Sequence, residues 1–421
     1  MQNLLYLTHR IPYPPTKGDK IRSYHVLKHL STRYRVYLGT FVDTPADWAH
    51  ADAVRALCAD SCIVRLRPSW ARMKSLFALG SEQALTVLYY RSQRLKRWVD
   101  DTLRTQAIER ILVFSSAMAQ YALAAGDARR IIDFVDIDSD KWRQYVSRSR
   151  WPQRALYERE HRLLARYERR ISRLFEGSLF VSREEAQLFS RFAPETAGKT
   201  AYFANGVDAD YFSPAREYAN PYPDAAQVLA FTGAMDYWPN VDAVEWFAHD
   251  VFPLIQARHP DAIFYIVGVR PARAVRELSR RRGIVVTGAV PDIRPYLAHA
   301  RLAVAPLRLA RGVQNKVLEA MAMGKPVVAS PQAAEGIEAA AAGSLLIARH
   351  ADDYVTHASR VLSGAEASAG RLARDHIVRA YDWTRNLATL EAWLEGASDR
   401  SALGRAFGAA PGTLASERSA R

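Results

Sequence analysis

Two ionisable side chains in the second half of the chain stand where they could handle a nucleotide. Lys316 and Glu319 lie three apart in RGVQNKVLEAMAMGKPVVAS, Arg311 to Ser330. The string parses as a loop from Gly312 to Asn315, a helix of strong formers from Lys316 to Met323, a glycine stop at Gly324 and a buried strand. A spacing of three puts both side chains on one helical face within the first turns. The positive end of a helix and its free N–H groups favour a phosphate. Lys316 adds a point charge for a diphosphate, and Glu319, which can only accept, suits the two hydroxyls of a ribose. Lys and Glu at this spacing also pair on ordinary amphipathic helices, so the surrounding string must decide.

Other residues could face the same ligand. THRIPYPPTKGDKIRSYH follows the first apolar run and places three prolines and Gly18 in a turn. A helix is predicted from about Lys20, with Asp19 as its N-cap. Gly18 would let the backbone approach donor phosphates or acceptor, while His9 and His25 read as structural. DFVDIDSDKW holds Asp136-Ile-Asp138 and Asp138-Ser-Asp140, carboxylate pairs that could bind a divalent ion. The same three-residue pattern recurs at Asp208-Ala-Asp210 and arises easily by chance, so no metal is expected. Asp138 reads instead as a polar group on the acceptor side of a cleft. The absence of G-x-G-x-x-G and of a Walker A loop argues against a dehydrogenase or a P-loop ATPase.

These residues need a frame. Short apolar runs alternate with longer helical patterns: 3–8, 35–41, 62–66, 111–114, 131–135 and 178–182, then 227–233, 262–268, 283–288, 301–306, 326–330 and 344–348. Near-continuous apolar strands alternating with helices mean parallel sheets covered on both faces. Two such series predict an α/β chain of two doubly wound, Rossmann-like domains. The expected boundaries are 1–212, a proline-containing linker at 213–226, 227–396, and a Ser/Ala/Gly/Arg-rich tail at 397–421 expected to be disordered. One or two long, Arg-rich helices are predicted over Lys141–Arg173. Cys58 and Cys62, the two cysteines, lack a second metal-ligand pair and read as reduced thiols.

Charge points to partners. Fifty-eight Lys and Arg against 44 Asp and Glu give +14, an excess that attracts polyanions. Without zinc-finger spacing or an RNA-binding signature, lipid headgroups and nucleotide phosphates are favoured over nucleic acid. The segment Arg65 to Asp101 interleaves Trp70, Phe77, Tyr89, Tyr90 and Trp98 with Arg and Lys, a composition that suits a membrane interface as well as ordinary amphipathic helices. No uncharged apolar run is long enough to span a bilayer, and the N-terminus lacks the basic region of a signal peptide.

The Arg311–Ser330 string resembles the donor-site signature of the family 4 glycosyltransferases, whose architecture is GT-B. PYPPTKGDKIRSYHVLKHL, NGVDADYFSP and FTGAMDYWPNVDA are similar to that family's N-terminal glycine loop, its pre-linker hallmark and the first strand of its C-terminal domain. VDIDSDKW, FTGAMDYWPN and GVQNKVLEAMAMGKPVVAS together resemble the sugar transferases of exopolysaccharide clusters that accompany the PEP-CTERM sorting system. The resemblance implies two lobes facing each other across a cleft. The second would hold a nucleotide-sugar donor through Gly233, Asn240, Arg311, Gly312, Asn315, Lys316 and Glu319, with Gly18 reaching in from the first. It also implies hexosyl transfer with retained anomeric configuration to a lipid-linked glycan acceptor; the +14 charge, the basic aromatic segment and the lack of a spanning run predict a peripheral protein at the cytoplasmic face of a membrane with anionic lipid. The donor is a co-substrate, and no separate cofactor is expected. Two departures stand out. Arg311 occupies the place of the family's first glutamate, and Asp236 and Asn240 stand where many relatives carry Arg and Lys. A 2-epimerase of the same architecture, or a sugar-nucleotide-binding scaffold, would share these features.

Overall fold

The computed structural model describes residues 1–15, 18–76, 79–147, 149–224, 226–310, 313–337, 343–366 and 368–396. Every long apolar run becomes a strand. β1 (Asn3–Thr8), β2 (Arg35–Val42), β3 (Asp60–Arg65), β4 (Ile108–Phe114), β5 (Arg129–Val135), β6 (Gly177–Phe180) and β7 (Thr200–Tyr202) form one sheet in the order 3-2-1-4-5-6-7. β8 (Gln227–Thr232), β9 (Ala262–Val267), β10 (Ile284–Gly288), β11 (Leu302–Ala305), β12 (Val327–Ala329) and β13 (Leu346–Ile347) form a second in the order 10-9-8-11-12-13. Every pairing is parallel. The two α/β units have the doubly wound arrangement predicted, and together they make a GT-B fold.

Strand order dictates where a ligand can sit. The direction of winding reverses between β1 and β4 in the first lobe and between β8 and β11 in the second. In open parallel sheets the crevice forms outside the carboxyl ends of the strands at such a reversal. Gly18 follows β1, Gly233 follows β8, and Asn315 and Lys316 follow β11. Asp138 follows β5, one strand further out.

Each sheet is sealed on both faces. In the second lobe Leu229, Phe231, Phe264, Ile266 and Val328 pack with Phe247, Leu318 and Tyr354. In the first lobe Leu5, Leu7, Ile111 and Val113 face one core, and Leu4, Tyr6, Leu112 and Ile131 face the other. The second of these contains a helix from the far end of the chain. Trp383–Leu394 buries Trp383, Leu387, Leu390, Trp393 and Leu394 beneath the first sheet. The boundary drawn at 227–396 therefore misplaces this helix, which covers the first lobe. The physical reason is apolar area: the helix presents a stripe at helical period, and Gly177 and Gly206 leave room for it. A Cβ on Gly177 would stand 2.6 Å from the Trp393 ring, and one on Gly206 would stand 2.6 Å from that of Trp383.

Smaller expectations also need adjusting. The first helix runs Gly18–Ser31, so Asp19 lies inside its first turn instead of capping it. There Asp19 pairs with Arg10 at 2.5 Å and approaches His9 at 3.4 Å. The Arg-rich region forms two helices, Asp138–Val146 and Gln153–Leu174. Several aromatics of the basic segment turn inward: Tyr90 and Trp98 pack against the first-lobe core. Trp70 and Met73 stay exposed. Phe77 and the tail at 397–421 fall outside the described residues.

Candidate active site

The predicted donor side comprises the Asn315–Ala322 helix and the turn after β8. Val317, Leu318, Ala320, Met321 and Ala322 anchor the helix in the core. Lys316 and Glu319 are left half-buried on its remaining face. The helix ends in a Schellman motif. Gly324 N–H donates to the Met321 carbonyl at 2.9 Å, Lys325 N–H to that of Ala320 at 3.1 Å, and Gly324 takes φ +67°.

Lys316 Nζ donates to Asn240 Oδ1 at 2.5 Å and lies 4.2 Å above the Phe231 ring. Asn240 is held in turn by its amide, which donates to the Ala234 carbonyl at 2.9 Å. Gly233 makes this convergence possible. Its φ is +156°, and a Cβ there would come within 2.8 Å of Asn240 Nδ2 and 3.2 Å of Lys316 Nζ. Glycine at 268 is equally required, because a Cβ would stand 1.6 Å from the Gly233 carbonyl oxygen.

Electrostatics follow from enclosure. Burial pulls the Lys316 ammonium down to about 7 against the opposing influence of Glu319. Burial pushes the Glu319 carboxyl up to about 7, opposed by Lys316. Among the described residues the Glu319 carboxylate has no hydrogen-bond partner; its backbone carbonyl accepts from Met323 N–H at 3.0 Å. Asp236, which stands where a cation was looked for, is bound by Arg270 at 2.6 and 3.2 Å. Arg311 and Gly312 lie outside the described residues. Asn315 contacts the first lobe. Its Oδ1 accepts from Asn205 Nδ2 at 3.2 Å, and its Nδ2 lies 3.5 Å from where a Cβ of Gly18 would be. The glycine lets the first lobe close against the start of the donor helix.

On the first lobe, Asp138 opens the Asp138–Val146 helix. Ser116 Oγ donates to its Oδ2 at 3.0 Å, and Lys141 Nζ sits 3.2 Å from its Oδ1 and 3.0 Å from Asp136 Oδ2. One ammonium thus lies between the two carboxylates that a metal would have used. Glu168 supports the turn from below, accepting from Ser139 N–H at 3.1 Å and Ser139 Oγ at 2.5 Å. Its burial pushes the carboxyl up to about 8. Tyr237, exposed on the second lobe, lies within electrostatic reach of Tyr145, Lys141 and Asp136. The Asp138 turn and the β8 turn therefore face one another across the cleft.

One group was missed from sequence. Arg22 is fully buried, and its Nε and Nη2 donate to Asp133 at 2.7 and 3.0 Å. Its Nη1 donates to the Phe203 carbonyl at 3.0 Å and to Asn205 Oδ1 at 2.9 Å. The guanidinium lies 3.5 Å above the Phe203 ring. Asn205 thus links this buried pair to Asn315 and the donor helix. A signal existed: Arg22 falls on the apolar face of its helix and Asp133 interrupts IIDFV, two charges at positions that read as core. His25 stacks on Trp383 at 4.5 Å, and its burial holds it near 4, in keeping with a structural role.

Residues 226–364 match the family model described as glycosyl transferases group 1. Residues 226–364 of the second lobe are thus similar to a group 1 glycosyl transferase domain. Solved structures extend the likeness to the whole chain at the level of fold. Sucrose-phosphate synthase from Thermosynechococcus elongatus superposes with a TM-score of 0.67 at 15% identity, covering 97% of this chain and 100% of that one. A glycosyltransferase from Rickettsia africae gives 0.61 at 14%, covering 94% and 99%. HepE from Anabaena in complex with UDP gives 0.61 at 14%, covering 94% and 100%. No curated protein sequence matches the chain. Gly233, Asn240, Lys316 and Glu319 all lie within the residues that match this model.

Proposed function

We propose that this protein is a glycosyltransferase that moves a hexose from a nucleotide-sugar donor to a lipid-linked glycan acceptor in exopolysaccharide assembly, with retention of configuration. The observation that carries the transferase reading is the enclosed pair of Lys316 and Glu319 at a helix start, with Gly233 clearing the space before them. Lys316 and the free N–H groups of the helix meet the diphosphate, and Glu319 accepts from the ribose hydroxyls. Charge on the departing diphosphate grows as the glycosidic bond breaks, so a fixed ammonium there stabilises the transition state more than the ground state. Asp138, across the cleft, serves the acceptor. No metal and no separate cofactor enters this reading. HepE was solved with UDP and with UDP-glucose, which makes uridine nucleotides the first donors to try.

The exopolysaccharide role, retention and the lipid-linked acceptor draw on the sequence resemblance. A peripheral position at the cytoplasmic face of the membrane is supported by the +14 charge and by Trp70 and Met73, exposed among basic residues. Among the described residues no helix is long and apolar enough to cross a membrane.

Titration calorimetry against UDP-, GDP- and ADP-sugars tests the donor site. One nucleotide class should bind, and Glu319→Ala should weaken it by roughly 1–3 kcal/mol without shifting unfolding of the free protein. Undiminished binding to Glu319→Ala would refute the assignment.

A further inference from the structure

Away from the proposed donor cradle, and sharing no residue with it, the first lobe forms an open pocket of about 530 Å³. Its walls come from the helices Leu85–Tyr89, Gln93–Thr105 and Gln153–Leu174 and the short turn Ser116–Tyr121. The volume is ordinary for a small-molecule site. Three features of the lining point to one kind of ligand.

The first is charge. Arg91, Lys96, Arg166 and Arg170 line the cavity against one acid, Glu82. Lys96 is answered by Asp100 on its own helix, but Arg91, Arg166 and Arg170 have no ion pair among the described residues. The second is an orphaned hydroxyl. Tyr167 Oη is buried without a hydrogen-bond partner, close to Arg170 and Tyr121. Leaving such a group unpaired costs about 1–3 kcal/mol, which an acceptor oxygen placed there would recover. The third is apolar wall. Val87, Leu123 and Leu163 line the same space, and Leu123 is exposed. A free inorganic anion would use the guanidinium groups and leave this wall idle. An amphiphile uses both.

We propose that this cavity binds the phosphate headgroup and proximal chain of an anionic lipid, with Arg166 and Arg170 on the phosphate and Tyr167 donating to one of its oxygens. The inference rests on the membrane part of the function proposed above and is independent of the sugar-transfer part. It places a specific lipid contact in the acceptor lobe, where it would hold the cleft near a membrane-borne acceptor.

The test titrates the full chain with dihexanoyl phosphatidic acid, with dihexanoyl phosphatidylcholine and with inorganic phosphate, kept below micelle-forming concentrations. Phosphatidic acid should bind saturably at one site and more tightly than the other two. The double variant Arg166→Gln/Arg170→Gln should weaken it by about tenfold or more, since each basic residue near an anionic headgroup contributes about 1 kcal/mol. Tyr167→Phe, which keeps the ring, should weaken it by about fivefold. UDP-glucose binding should be unchanged in all variants, which separates this site from the donor cradle. Absence of saturable phosphatidic acid binding, or binding undiminished in the double variant, would overturn the proposal. Inorganic phosphate binding as tightly as the lipid would also overturn it, because the apolar wall would then contribute nothing. Anionic vesicles that bind wild type and double variant equally would place membrane contact elsewhere, around Trp70 and Met73, and dismiss this cavity.

Discussion

Donor binding should follow a bell-shaped pH dependence with its optimum near neutrality, because the two groups assigned to the donor in the proposed function titrate together. In the empty cleft burial brings Lys316 down to about 7 and lifts Glu319 to about 7. The diphosphate of a nucleotide sugar keeps its charge throughout this range. Above neutrality Lys316 is neutral in the free protein and must gain a proton to meet the diphosphate, so binding takes up a proton and weakens as pH rises. Below neutrality Glu319 is protonated and must lose its proton to accept both ribose hydroxyls, so binding releases a proton and weakens as pH falls. On each flank the dissociation constant should approach a tenfold rise per pH unit, about 1.4 kcal/mol. Calorimetry from about pH 5.5 to 9 in two buffers of different ionisation enthalpy gives both affinity and proton count. Net uptake should approach one proton on the alkaline side, release should approach one on the acid side, and the sign should change near pH 7. Lys316→Met should abolish the alkaline flank and Glu319→Gln the acid flank. A flat affinity with no net proton exchange would show that neither group titrates where enclosure puts it, or that neither touches the donor.

Other perturbations test neighbouring parts of the structure. Gly233→Ala forces a Cβ against Asn240 and Lys316 at a positive φ and should cost about 1–3 kcal/mol in donor binding; the same titration reads it, and unaltered affinity would refute the cradle geometry. Arg22→Met leaves Asp133 buried without its partner and should lower unfolding stability by about 3–5 kcal/mol in denaturant titration. Asn315→Ala removes one neutral hydrogen bond of 3.2 Å and should cost only about 0.5–1.5 kcal/mol in the same assay; a loss equal to that of Arg22→Met would contradict the roles assigned here. Transfer activity should survive EDTA, since the Lys141 ammonium already sits between Asp136 and Asp138; inactivation reversed by manganese or magnesium would reinstate a metal at that turn.

The strands were legible because parallel sheets bury both faces, so each strand writes itself as an apolar run. β7 escaped because Thr200–Tyr202 is three half-buried residues long and carries no such run. The Trp383–Leu394 helix was legible as a helix but not as a cover for the first lobe. Its apolar positions, Trp383, Leu387, Leu390 and Leu394, repeat at helical period, but periodicity says which face is buried and not against what. The missing information lay far upstream, in Gly177 and Gly206, whose lack of side chains admits two tryptophan rings. Each glycine alone reads as a turn or a strand end. Only their pairing with distant tryptophans explains them.

The parts of the proposed donor cradle are local in sequence. Lys316 and Glu319 share one helix, and Gly233 and Asn240 share one turn. The connection that sets the cradle against the first lobe was not legible, because Arg22, Asp133, Asn205 and Asn315 come from four separate elements. That connection is graded in strength. Arg22 makes four hydrogen bonds and a ring contact, all buried, whereas Asn205 reaches Asn315 by one neutral bond. The two passages between lobes run side by side there, tied by Val207 N–H donating to the Tyr381 carbonyl at 2.9 Å, with Gly206 beneath Trp383. Any relative movement of the lobes would therefore strain the Asn205–Asn315 bond well before it disturbed Arg22. The cleft proposed to admit a nucleotide sugar and then exclude water would use that division between a rigid anchor and a weak contact.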